Sequence, residues 1–177
     1  MNSALVILAH PKLEQSRVNQ RMYQELKALD DVVVHDLYDM YPDFFIDIKY
    51  EQAAMEKASL IVFQHPFYWY STPALLKEWL DQVLERGWAY GETGTALKGK
   101  LLLTATSTGG PDHAYMHGGY NNFTMKEFLK PFEQTANLCG MKYLEPFILH
   151  SARSSDDETI LKHALAYCEL IKRETDG

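Results

Sequence analysis

Cysteine is scarce: Cys139 and Cys168 are the only two among 177 residues, and no C-x-x-C pair occurs. That argues against a disulfide framework and against a redox dithiol, leaving two reduced core thiols of the kind a reducing compartment permits. Positive charge is also short, with 17 Lys and Arg against 24 Asp and Glu and a net charge of -7, which excludes a duplex nucleic-acid binder with a broad basic face. No apolar run approaches the roughly 20 residues needed to cross a bilayer. The N-terminus has neither a basic opening nor a small-residue cleavage site, so a signal peptide is not expected and the cytoplasm is the expected address. Motifs are missing as well. Without G-x-G-x-x-G there is no dinucleotide-type Rossmann turn, without a Walker A lysine no P-loop, and without G-x-S-x-G no nucleophile elbow.

What remains is an ordinary globular balance, 46% hydrophobic and 23% charged, long enough for one compact domain over residues 1–177. Five short apolar runs stand out: 4–9, 32–34, 60–63, 101–106 and 143–149. The first, third and fourth are nearly continuous rather than alternating, as strands covered on both faces are. The segments between them suit helices. Over Pro73 to Arg86 the stripe Leu75, Leu76, Trp79, Leu80, Val83 and Leu84 has helical spacing, with Ser71 or Thr72 as N-cap and Gly87 as the stop. Val18, Met22, Leu26 and Leu29 mark a first helix; 48–58, 124–138 and 156–173 complete the set. Strand and helix alternate throughout, which is the pattern of an α/β doubly wound parallel sheet.

In such a sheet, ligands bind at the carboxyl edge of the strands. Three segments following strands reach that edge. The first, from His10, carries Ser16 and Arg17 into a helix N-terminus, a plausible phosphate seat, although Ser16 serves equally as a plain N-cap. The second runs Pro66-Phe67-Tyr68-Trp69-Tyr70; alternation cannot bury all four rings, and a planar heteroaromatic ligand suits them. The third, Ser107-Thr108-Gly109-Gly110, lets backbone N–H groups approach a ligand, with Tyr115 and His117 downstream as proton donors or acceptors. His113 and His117 have the i, i+4 spacing of a metal pair, but proline and glycines nearby argue against a helix, so no metal is expected. The ends of strands one and three carry His10-Pro11 and His65-Pro66 rather than an acidic cluster, which removes a phospho-accepting domain.

Taken together, these loops resemble the flavodoxin-like NAD(P)H:quinone oxidoreductase family over nearly the whole chain. His10 with Ser16, Arg17, Val18 and Asn19 looks like its first flavin loop, Pro66 to Tyr70 its second and Ser107 to Gly110 its third; Tyr115 falls where the family keeps a tyrosine near the flavin. Within the family, Asp36-Leu37-Tyr38, Tyr41 to Asp47, Phe63 to Pro66 and Leu75 to Asp81 are similar to the ancillary subunits of glutathione-regulated potassium-efflux systems. The resemblance implies a five-stranded flavodoxin-like sheet of order 2-1-3-4-5 with helices on both faces, FMN or FAD, NAD(P)H as co-substrate and a quinone acceptor. FMN is favoured because the C-terminal extension of longer quinone reductases is absent. It also implies a homodimer, and a regulatory alternative: docking on a potassium-efflux transporter at the inner face of the cell membrane. The family pairs its loop tyrosine with a histidine a few residues later; His117 is two residues on, and Tyr120 stands near the family position.

Overall fold

A computed structural model describes residues 3–176, so the expected unit of 1–177 extends past the described residues at both ends. Strands β1 (Ala4–Leu8), β2 (Val32–Asp36), β3 (Leu60–Pro66) and β4 (Leu101–Ser107) pair in parallel in the order β2-β1-β3-β4. β5 (Lys142–Tyr143) and β6 (Phe147–Leu149) both pair in parallel with β4, so the two share the fifth position. This is the expected 2-1-3-4-5 sheet, with one correction: the run 143–149 is not a continuous strand. Leu102 stands opposite Tyr143 but Ala105 opposite Phe147, so one extra residue is spent on the outer strand between them. Pro146 lies in that gap, and a residue without an N–H cannot continue the ladder.

Period-two alternation splits the sheet into two apolar layers. Leu5, Ile7, Ile61 and Phe63 face one layer, with Trp79, Leu75 and Phe132 from the helices; Val6, Leu60, Val62 and Leu103 face the other, with Met22, Ala164 and Tyr167. All residues of β1 and β3 are buried, which accounts for their nearly continuous apolar reading.

The helices are α1 (Arg17–Leu26), α2 (Leu37–Met40), α3 (Ile48–Lys57), α4 (Ala74–Val83), α5 (Met125–Phe128), α6 (Lys130–Leu138) and α7 (Asp157–Asp176). Three differ from expectation. The short α2 had no periodic signal. The helix expected over 124–138 is two: Thr124 and Glu127 form a capping box that starts α5, and Pro131, with no N–H to give the preceding turn, forces a restart at α6. α4 is capped by neither Ser71 nor Thr72. The helix begins at Ala74, which puts Pro73, with no side-chain oxygen, at the N-cap; the Ser71 N–H donates to Tyr68 O in the preceding turn and the Thr72 hydroxyl to Pro73 O.

One buried polar network joins α3 to the rest of its layer. Glu51 is fully buried, and its carboxylate accepts from Tyr41 Oη at 2.7 Å and Trp79 Nε1 at 3.0 Å, with His35 Nδ1 2.9 Å away. Burial, reinforced by the Glu51 contact, holds the Tyr41 phenol strongly in its protonated form. Among the described residues, no helix is long and apolar enough to cross a membrane, and no group of three or more His, Cys, Asp or Glu could hold a metal.

Candidate functional site

The carboxyl edge of the sheet opens into a cavity of about 390 Å³, inside the range of small-molecule sites. Its first wall is His10 and the start of α1. The His10 ring is buried, and its Nδ1 accepts the Lys12 N–H at 3.1 Å, which holds the loop closed. Burial pushes the His10 pKa down against the opposing pull of Glu14, so the ring is neutral and its proton sits on Nε2. Ser16 is the N-cap of α1: its Oγ accepts the Asn19 N–H at 3.1 Å. That leaves the hydroxyl proton free. The N–H groups of Arg17 and Val18 have no acceptor among the described residues, as expected of a first helical turn. Val18 offers only that backbone, since its side chain is in the core. Asn19 is buried, and its Nδ2 donates to Ser107 Oγ at 3.1 Å, tying the first loop to the third. Arg17 pairs with Asp157 at 2.6 Å, but both side chains are exposed, so an anion could take that contact at little cost.

Pro66, Phe67 and Tyr68 form the second wall. Tyr68 and Ser71 exchange both backbone hydrogen bonds, closing a two-residue turn whose centre is Trp69 and Tyr70 at φ 49° and 63°. Two aromatic residues thus occupy the left-handed region, a costly choice that turns at functional sites often carry. Their N–H groups have no acceptor among the described residues. The rings separate: Trp69 is 92% exposed, whereas Tyr70 stacks on Phe128 at 5.2 Å and Phe67 packs edge-on to Tyr115 at 5.9 Å. Trp69 and Tyr70 border the cavity wall without lining it.

Ser107, Thr108 and Gly109 supply the third wall, with Gly110 just beyond it. The Gly109 and Gly110 N–H groups are also without acceptors among the described residues. Tyr115 leans over Gly110; a Cβ there would lie 3.3 Å from its hydroxyl. His117 stands apart from the cavity, 72% exposed, with its Nε2 3.4 Å from Glu127.

Several residues of the cavity region escaped the sequence reading: Lys12, Gln15, Ala152 and Arg153 line it, and His150 packs beside its third loop. Arg153 lines the cavity, and its Nε would be 3.8 Å from a Cβ at Gly109. His150 sets its ring 5.5 Å from that of Tyr115, with Nδ1 3.0 Å from Thr108 Oγ1 and Nε2 3.2 Å from Asp112. Both follow β6, whose end reaches the same edge as the other loops. The polar run His150 to Ser155 after an apolar strand was the available signal.

The arrangement therefore offers a helix N-terminus with a hydroxyl, three cations (Lys12, Arg17 and Arg153), and two pairs of free N–H groups flanked by aromatic rings. A ligand with an anionic tail and a planar, oxygen-bearing ring matches this set. The parallel sheet of order 2-1-3-4-5 that carries this cavity is a flavodoxin-like fold, and comparison with known proteins shows the same family. Residues 2–171 match the family described as flavodoxin-like fold, and the chain belongs to that family. It is 48% identical over 168 residues to the glutathione-regulated potassium-efflux system ancillary protein KefG of Yersinia enterocolitica, covering 95% of this chain and 91% of that protein. Among solved structures, general stress protein 14 of Treponema denticola in complex with FMN is 38% identical with a TM-score of 0.93, covering 97% of this chain and 99% of that one. An NADPH-quinone reductase from P. pentosaceus is 31% identical with a TM-score of 0.87, covering 96% and 97%.

Proposed function

We propose that this chain is an FMN-dependent NAD(P)H:quinone oxidoreductase. The observation that carries the reading is the set of free N–H groups in and around the cavity: at the start of α1 and Gly109 in its wall, and at Trp69, Tyr70 and Gly110 along its border. Bound FMN would supply the acceptance and return of a hydride. Ser16 Oγ, the Arg17 and Val18 N–H groups and the Arg17 guanidinium would hold its phosphate. The N–H groups of the second and third loops would hold the ring and stabilise negative charge developing on it. Phe67, Tyr68 and the exposed Trp69 would flank the ring, leaving one face open to nicotinamide and quinone in turn. Tyr115, placed over Gly110 and held among Phe67 and Phe128, would be the proton donor. His117 is engaged with Glu127 instead. The test is the visible spectrum of the purified protein, followed by anaerobic NADPH and then a quinone. Yellow colour that bleaches and returns supports the reading; a colourless protein that takes up no FMN refutes it.

The similarity to KefG favours a second reading, in which the chain acts as the ancillary protein of a potassium-efflux system. Co-purification with a potassium transporter from membranes, kept by the wild type and lost without that transporter, tests it. A second copy of the chain would suit the apolar groove where Leu80 and Leu84 face Phe128, Phe132 and Leu138, and sedimentation would show a dimer.

A further inference from the structure

The segment after β6 grips the third loop at several points. Thr108 N donates to Leu149 O, Ala152 N to Thr108 O and Ser151 N to Gly110 O, each over 2.9 to 3.0 Å. The Gly109 peptide, with its free N–H, is held from both sides. One side-chain link joins this clamp: His150 Nδ1 to the Thr108 hydroxyl, itself fully buried. We propose that His150 is a positioning residue that acts through Thr108 to set the Gly109–Gly110 donors, and that its protonation state changes how they hold an anionic ring or phosphate. The proposal rests on the FMN reading above.

Two hydrogen-bond arrangements fit the observed distances. With His150 neutral, the Thr108 hydroxyl donates to Nδ1 and Nε2–H donates to Asp112. With His150 charged, Nδ1–H donates to Thr108 Oγ1, and the hydroxyl turns to Gly110 O, 2.9 Å away. Protonation therefore moves one hydrogen bond from the histidine to the turn that presents the free N–H groups, and adds a cation near the cavity. The titratable groups set against the ring are Asp112 and Tyr115. Burial lowers the His150 pKa from its usual 6.5 and Asp112 opposes this, so the exchange falls on the acid side of neutrality.

The test measures FMN dissociation constants by flavin fluorescence for the wild type, His150→Ala and His150→Asn, between about pH 5 and 8. Asparagine keeps a donor and an acceptor near the Nδ1 position but does not titrate. His150→Ala is expected to weaken FMN about tenfold, or about 1.4 kcal/mol. His150→Asn should recover affinity to within about threefold near pH 8 and show no tightening at acid pH, whereas the wild type tightens relative to it as pH falls. Near-UV circular dichroism identifies any loss of packing. If the folded alanine variant binds as the wild type does, or if wild type and His150→Asn share one pH profile, the proposal is overturned. A wild type that binds no FMN at any pH would instead overturn the flavin reading on which it stands.

Discussion

The indole Nε1–H of Trp79 in α4 donates to Oε2 of Glu51 in α3 over 3.0 Å, in a place no water reaches. So buried a side chain is tolerated because Tyr41 and Trp79 donate to it and His35 Nδ1 lies within hydrogen-bond distance. Replacing Glu51 by Ala would strand the polar groups of Tyr41, Trp79 and His35 and open a void. Urea unfolding should show a loss of about 3 kcal/mol or more. A loss below about 1 kcal/mol would mean that the network contributes little to the fold.

His65 is fully buried at the tip of β3, with Nδ1 2.9 Å from Pro66 O, and burial pushes its pKa down to about 4. His163, stacked on Phe147 at 4.2 Å, is also pushed down to about 4 by burial. Each histidine binds a proton in the unfolded chain near pH 6.5 but not in the folded one. The stability they contribute is thus complete above about pH 6.5 and is lost as pH falls toward 4, by at most about 3 kcal/mol for His65. Thermal melts of His65→Asn or His163→Asn should fall less steeply over this window than those of the wild type.

Gly109 separates folding from binding. A Cβ there meets only Arg153 at an ordinary 3.8 Å, so Gly109→Val should fold with a near-wild-type melting temperature. Its branched side chain would intrude on the cavity wall, and retained FMN should drop at least about tenfold. A variant with undiminished yellow colour would remove the third loop from the site.

Tyr115→Phe keeps the ring that packs on Phe67 and Phe128 but deletes the hydroxyl over Gly110. FMN content should be unchanged while anaerobic flavin bleaching slows about 10²-fold, the usual scale of one proton donor. Equal stopped-flow rates would deny the hydroxyl any part in the proton step.

Trp69 holds φ 49° with its ring almost wholly in solvent. Asn suits that turn position better, so Trp69→Asn should raise stability by about 0.5–1 kcal/mol while lowering turnover with a quinone. Faster melting, or unimpaired turnover, would show that the strained aromatic turn serves another purpose.

The fold was largely legible along the chain because its signals are local. Unbroken apolar runs such as Leu60 to Phe63 announce strands covered on both faces, and the stripe from Leu75 to Val83 announces the helix that covers one of them. The three loops were legible for the same reason, since each directly follows such a run, and Ser16 with Asn19 shows its capping pattern within four residues. Where a proline stood inside an expected element, Pro131 in the helix over 124–138 and Pro146 in the strand over 143–149, the reading was too smooth, and the chain restarts instead.

Residue order alone thus determined the main strands and helices, though not α2 or the breaks within 124–138 and 143–149, and three of the loops that meet at the carboxyl edge. Tertiary structure alone decided the partners. Glu51 meets Trp79 across 28 positions, and Thr108 meets His150 across 42. It also withdrew His117 from the cavity and brought Arg153 into its wall. The physical reason is that burial and local propensity are properties of a segment, whereas a hydrogen-bonded site depends on how separate segments are registered by the packing of the whole sheet.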